Sequence, residues 1–202
     1  LIDEYVKSDV FVKNKKKLKE IEREFHKMVF DFARSNANYK VQIKTKTSDR
    51  YFKLPKILYQ NIYRENLPDN LIIINKNNVD DLILNANVVL GFNTTALVEA
   101  LAAGKVVGCP DFSILGNGQP QPYGIFNKHE KLIQIISNYE IMCDVIKNYE
   151  NYMLSGDSQL DDFLKPLVYK NDGKVSIRAE DAIIDTIEQY RMKNKKENNV
   201  NW

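Results

Sequence analysis

Residues 88–111 constrain the fold of this chain more than any other stretch. Val88-Val89-Leu90 is a short apolar run of the kind that forms a strand buried on both faces. Gly91 ends it. Asn93, Thr94 and Thr95 follow, with side chains suited to capping free backbone N–H groups at a helix start. Residues 96–103 read as a compact helix, and Gly104 is placed to close it in a left-handed conformation. Val106 and Val107 open a second apolar run. Strand, tight turn, helix and strand make one βαβ unit of a parallel sheet, and so an α/β fold.

The polar residues of that unit suggest chemistry. A helix N-terminus presents unpaired N–H groups and the positive end of the helix dipole, so it attracts phosphate. Two threonine hydroxyls stand there. Glu99 lies one turn beyond Thr95 on the same helix face. A pyrophosphate held at the helix start would leave its ribose beside that first turn, where a carboxylate accepts hydrogen bonds from sugar hydroxyls. The plainer alternative is that Thr94 is an ordinary cap and Glu99 a solvated charge.

The rest of the chain sets bounds. Its 202 residues suit one domain, taken as 1–192, with a polar and disordered tail at 193–202. A formal net charge of +2 gives no reason to expect a nucleic-acid surface. The two cysteines, Cys109 and Cys143, have neither metal-site spacing nor a disulfide framework, which points to a reduced, cytoplasmic compartment. No metal cluster is evident. No apolar run has the length of a membrane span, no signal peptide opens the chain, and the absence of a starting Met suggests a fragment or a processed product.

In chain order, the basic run Lys13-Asn14-Lys15-Lys16-Lys17 reads as a solvated helix start or loop. Leu18, Ile21, Phe25, Met28, Val29 and Phe32 keep helical spacing, so 16–33 is an amphipathic helix. His26 borders that stripe as a surface or boundary histidine. Residues 39–44 alternate as a strand. Ligands of open parallel sheets bind beyond the carboxyl ends of the strands, so Lys44, Lys46 and Arg50 are candidate phosphate partners, against the alternative of a merely polar loop. Residues 51–64 form a helix interrupted near Pro55. Residues 71–74 form the next strand and 79–85 a helix with Asp80 and Asp81 at its start. Backbone groups from Asn75 to Val79 can read a nucleobase edge, or simply connect strand to helix.

Strands at 88–90 and 106–109 complete the expected sheet. The loop at 110–127 offers Asp111, Asn117 and Gln119 to sugar hydroxyls, with disorder as the alternative. Residues 123–126 suggest a short strand, and helices are expected at 130–137, 139–154 and 160–168. Asn171-Asp172-Gly173 is a turn, and Ser176 caps a last helix over 177–192.

The run G-F-N-T-T-A-L-V-E-A-L-A-A-G-K-V-V resembles the donor-binding segment of GT-B glycosyltransferases, closest to those that make bacterial capsule or lipopolysaccharide. V-Q-I-K-T-K resembles the strand before the donor site, and Asn171-Asp172-Gly173-Lys174 with Arg178 resembles the closing D-G-x-x-x-x-R segment. The resemblance covers most of the chain, least so residues 1–32. It implies a Rossmann-like parallel sheet with helices on both faces, one half of a GT-B fold. Thr94 and Thr95 match phosphate contacts and Glu99 the ribose contact, with Asn93 a further binding candidate beside them. Lys44 is a weaker match, because Lys44-Thr45-Lys46 stands where many relatives carry Lys-Pro-His-Pro.

The implied substrate is a nucleotide sugar, with UDP or CMP favoured, and no cofactor or metal. The acceptor glycan would bind a missing N-terminal half that also supplies the catalytic base, so no catalytic residue is assigned. The fragment alone would be inactive. The implied setting is surface-polysaccharide synthesis in the cytoplasm, with peripheral membrane association of the full protein and no nucleic-acid partner. A UDP-sugar 2-epimerase-like enzyme and a non-catalytic nucleotide-binding or interaction module are the competing readings. His26 and His129 have no carboxylate at a recognisable spacing, so neither is assigned as a base.

Overall fold

The computed structural model describes residues 9–76, 78–92, 94–112, 130–154, 158–168 and 172–198. Two compact units divide the chain, Leu1–Ser155 and Gly156–Trp202. The sequence reading drew no boundary there.

The first unit is mixed α/β with short parallel sheets. Its elements are α1 (Asp9–Ser35), β1 (Val41–Lys44), α2 (Asp49–Tyr63), β2 (Leu71–Ile74), α3 (Val79–Leu84), β3 (Val88–Leu90), α4 (Thr95–Ala102), β4 (Val106–Pro110), β5 (Gln134–Ile136) and α5 (Tyr139–Lys147). Single 3-10 turns at Glu130–Leu132 and Tyr149–Tyr152 flank β5 and α5. Every strand pair is parallel. β1 pairs with β2 from Val41↔Leu71 to Lys44↔Ile74, and β4 lies between β3 and β5. The four expected strands therefore form with the expected sense. They form two sheets rather than one, because no ladder joins β1 to β3 among the described residues.

α1 explains how two small sheets share one core. Its buried face carries two sets of residues. Phe25 and Phe32 pack with Val106, Ile136, Met142 and Val145 over the three-stranded sheet. Phe30 and Ala33 pack with Tyr59 and Leu71 over the two-stranded one. Val41 touches both groups. The stripe is therefore broader than the spacing predicted, and Leu18, expected within it, is exposed. The helix also extends beyond the expected 16–33 at both ends.

β4 is buried along its whole length, as a central parallel strand should be. α4 reaches it through Leu97, Ala100 and Leu101, each at most 1% exposed. Burying a leucine side chain fully contributes about 1.5–3 kcal/mol, so these contacts hold the short helix in place. α4 closes in a Schellman turn: Lys105 N–H donates to Ala100 C=O and Gly104 N–H to Leu101 C=O, both at 2.9 Å, with Gly104 at φ 71°. The predicted left-handed cap is present.

Several expectations need correction. Residues 130–137 are not a helix. A 3-10 turn leads into β5, which pairs Gly108↔Gln134 through Pro110↔Ile136. A short run of Leu and Ile fits either period, and the free edge of β4 decides it for the strand. The helix at 51–64 is not interrupted. α2 runs unbroken through Pro55, which is buried in its second turn. The missing Pro N–H removes one bond there, and the buried contacts of Tyr59 further along hold the helix.

The helix expected over 139–154 ends at Lys147, and Asn148 starts the 3-10 turn. The suggested strand at 123–126 lies outside the described residues. In the second unit, α6 (Ser158–Val168) contains Pro166. α7 (Val175–Asn198) starts one residue before Ser176, which is thus not its cap, and continues past the expected end at Met192 into the expected tail.

Candidate functional site

The turn after β3 is built from residues with separate tasks. Gly91 N–H donates to Gly108 C=O at 3.0 Å, continuing the ladder to β4. A Cβ on Gly91 would stand 3.2 Å from Leu97 Cδ2, so glycine lets the turn fold closely onto α4. Phe92 packs edge-on to Phe25 at 5.3 Å and stacks on His26 at 5.8 Å. Thr94 is the N-cap, and its hydroxyl accepts from Ala96 N–H at 3.4 Å. Thr95 is the first helical residue, and Glu99 follows one turn later. All three are exposed. The side chains of Thr95 and Glu99 have no hydrogen-bond or ion-pair partner among the described residues. Asn93 lies outside the described residues, as do Asn117, Gln119 and His129.

The start of α4 also differs in charge from the starts of α2, α3 and α5. α2 carries Asp49 in its first turn, α3 carries Asp80 and Asp81, and α5 carries Glu140. α4 carries no acid there. Carboxylates at the starts of α2, α3 and α5 complement the helix dipole, whereas the first turn of α4 has none.

The remaining predicted residues gather at the carboxyl ends of β1 and β2. Lys44 Nζ donates to Thr45 C=O at 2.7 Å and Asn75 C=O at 3.3 Å, tying the two strand ends together. That accounts for part of its donor capacity, so Lys44 is a structural tie as well as a cation. Lys46 lies over the Tyr51 ring at 5.3 Å. Arg50 is exposed in the first turn of α2, where the dipole disfavours a cation unless an anion is near. Val79 is the half-buried first residue of α3, behind the cap Asn78. Thus Lys44 and Asn75 meet directly and Thr94, Thr95 and Glu99 share one helix start. No hydrogen bond or ion pair joins the two groups among the described residues.

Asp111 follows β4 at the same edge, beside Cys109. Burial and then the Asp111 charge push the Cys109 thiol up to about 12, so at neutral pH it is a protonated, buried thiol rather than a nucleophile. Both cysteines are free. Among the described residues, no group of three or more His, Cys, Asp and Glu is arranged to hold a metal. No described helix is long and apolar enough to cross a membrane.

Comparison with known protein families, curated proteins and solved structures finds no match.

The D-G-x-x-x-x-R segment has a local explanation. Asp172 accepts from Lys174 N–H at 3.0 Å and pairs with Arg178 at 2.8 Å, which fixes the start of α7. Sequence reasoning missed the role of Phe92 and its partner His26. The available signal was a large aromatic inside an otherwise small and polar turn, G-F-N-T-T.

It also missed a polar network near the amino ends of β1 and β2. Lys27 pairs with Asp31 at 2.7 Å, Tyr63 O–H donates to Asp31 at 2.6 Å, and Arg34 pairs with Glu65 at 2.8 Å. Arg34 also lies 4.2 Å above the Tyr63 ring, and Tyr59 O–H donates to Glu65 at 2.9 Å. Burial and then the Asp31 carboxylate push the Tyr63 hydroxyl well above the usual phenol range. Arg34, Tyr59 and Glu65 line an open depression of about 520 Å³. Its charges face each other.

Proposed function

We propose that this chain is the donor-binding portion of a glycosyltransferase acting on a nucleotide sugar, with UDP or CMP as the nucleotide. Its product sugar goes to a surface polysaccharide of the capsule or lipopolysaccharide kind, in the cytoplasm. The acceptor and the catalytic base belong to a facing domain, as in the GT-B arrangement that the sequence resembles. The Rossmann-like, doubly covered sheet of that arrangement is part of the proposal.

One observation carries this reading: α4 starts with two threonines and no acid, at the carboxyl end of a parallel strand, with an exposed Glu99 one turn on. Its N–H groups and hydroxyls suit the diphosphate, and Glu99 suits the ribose hydroxyls. Lys44, Lys46 and Arg50 add positive charge at the carboxyl end of β1 and the start of α2. Charge develops on the nucleoside diphosphate as the glycosidic bond breaks, and such donors stabilise it.

A thermal-shift panel of UDP, CMP, GDP, dTDP and their sugars tests the reading. Ligand at a hundredfold excess over Kd adds about 2.7 kcal/mol. For a chain of this size that is a rise of roughly 5–10 °C in the midpoint. A concentration-dependent rise with one nucleotide series is expected, with little transfer activity from the chain alone. No rise with any of them at millimolar concentration overturns the reading.

A further inference from the structure

The turn after β3 is fastened to α1 as well as to the sheet. Phe25 and His26 are consecutive residues of α1, and both grip the ring of Phe92. Phe25 meets it edge-on, at 5.3 Å and 68°, while His26 stacks on it, at 5.8 Å and 23°. The imidazole is itself held. Its Nδ1 lies 2.7 Å from Glu22 C=O, and because a carbonyl only accepts, Nδ1 carries the proton. The Phe30 ring lies tilted to the imidazole, 6.1 Å away.

Phe92 stands between Gly91, bonded to β4, and Thr94, which caps α4. The clasp therefore acts on the segment that sets where the α4 N–H groups point.

We infer that His26 is a positioning residue for the nucleotide site: its stack on Phe92 holds the β3–α4 turn in the binding geometry. The inference rests on the function proposed above. His26 acts through Phe92 and touches no substrate. Without the stack, Phe92 keeps the Phe25 ring and its packing on the core, and the turn gains freedom that a bound diphosphate must remove again. Aromatic pairs of this kind correspond to about a two- to tenfold change in an equilibrium.

The test compares wild type, His26→Ala and His26→Phe by two readouts. The first is hydrogen exchange in the ligand-free protein at the Gly91, Ala96 and Leu97 amides, whose bonds to Gly108 C=O, Thr94 Oγ1 and Thr94 C=O report the turn. The second is calorimetric binding of UDP and CMP. His26→Ala is expected to speed exchange at these amides, leave Val107 and Cys109 protected, and weaken binding about two- to tenfold. His26→Phe, which keeps a ring, is expected to restore both.

Unchanged exchange in His26→Ala overturns the inference, whatever the nucleotide does. If His26→Ala also loses protection at Val107 and Cys109, His26→Phe decides: wild-type exchange at the turn supports the clasp, and fast exchange at the turn alone overturns it. Turn loosening in His26→Ala together with a wild type that binds neither UDP nor CMP supports the clasp and defeats the functional reading.

Discussion

At the amino ends of β1 and β2, Lys27, Asp31, Arg34, Tyr59, Tyr63 and Glu65 satisfy one another. At the carboxyl end of β3, Thr95 and Glu99 have no such partners among the described residues. Both regions are polar, and the amino-edge one lines an open hollow. The difference lies in what each leaves over. In the first, Asn70 Nδ2 adds bonds to Ala33, Asn36 and Tyr39 carbonyls, joining the end of α1 to the starts of both strands. That region is a fastening. In the second, the Glu99 carboxylate is exposed and the helix start carries no acid.

The strongest way to break this contrast is at Tyr59, whose ring is 1% exposed and packs edge-on to Phe30 at 5.3 Å. Tyr59→Ala is expected to destabilise the fold by about 3–5 kcal/mol, as aromatic truncations in cores do. Urea unfolding measures it. A loss below 1 kcal/mol would mean that the amino-edge region does not fasten the fold.

Thr94→Ala removes the α4 cap and should cost about 1 kcal/mol by the same measurement, with Thr94→Gly costing only a few tenths. Equal and negligible losses in both would show that the turn, rather than the cap, sets the helix start.

Asp31 gives a smaller effect that depends on pH. Its burial raises the carboxyl, but the hydrogen bonds from Lys27 and Tyr63 and the charges of Lys27 and Arg34 outweigh this and hold it below the usual range. A lowered folded value means that its contribution is present above the unfolded value of about 4. It is lost as pH falls through the folded value. Asp31→Asn should therefore be less stable than wild type at neutral pH, and lose less stability on acidification below about pH 4. Parallel acid-unfolding curves for the two proteins would remove Asp31 from the fastening.

The same contrast explains what could be read from the sequence. The runs of β1 to β4 and the whole of α4 with its cap and Gly104 turn rest on neighbouring residues, so local pattern revealed them. β5 was hidden because Leu132, Ile133, Ile135 and Ile136 suit a helix until β4 offers an edge. The amino-edge network joins residues about thirty positions apart, as in Arg34 with Glu65, and no spacing rule anticipates that. His26 with Phe92 was hidden for the same reason. Within the candidate site, Thr94, Thr95 and Glu99 were legible as one helix start, whereas the tie from Lys44 to Asn75 needed the strands to be paired first.

The most direct test of the account is calorimetry of the cognate nucleotide against wild type and Glu99→Ala. Glu99 is exposed, so its loss should change folding stability by no more than about 0.5 kcal/mol. It should weaken nucleotide binding by about 1–3 kcal/mol, the range for hydrogen bonds to a charged acceptor. Thr95→Val should cost less, because backbone N–H groups still hold the phosphate. Binding by Glu99→Ala as tight as wild type would contradict the ribose assignment, and unfolding of the variant would make Glu99 a structural residue.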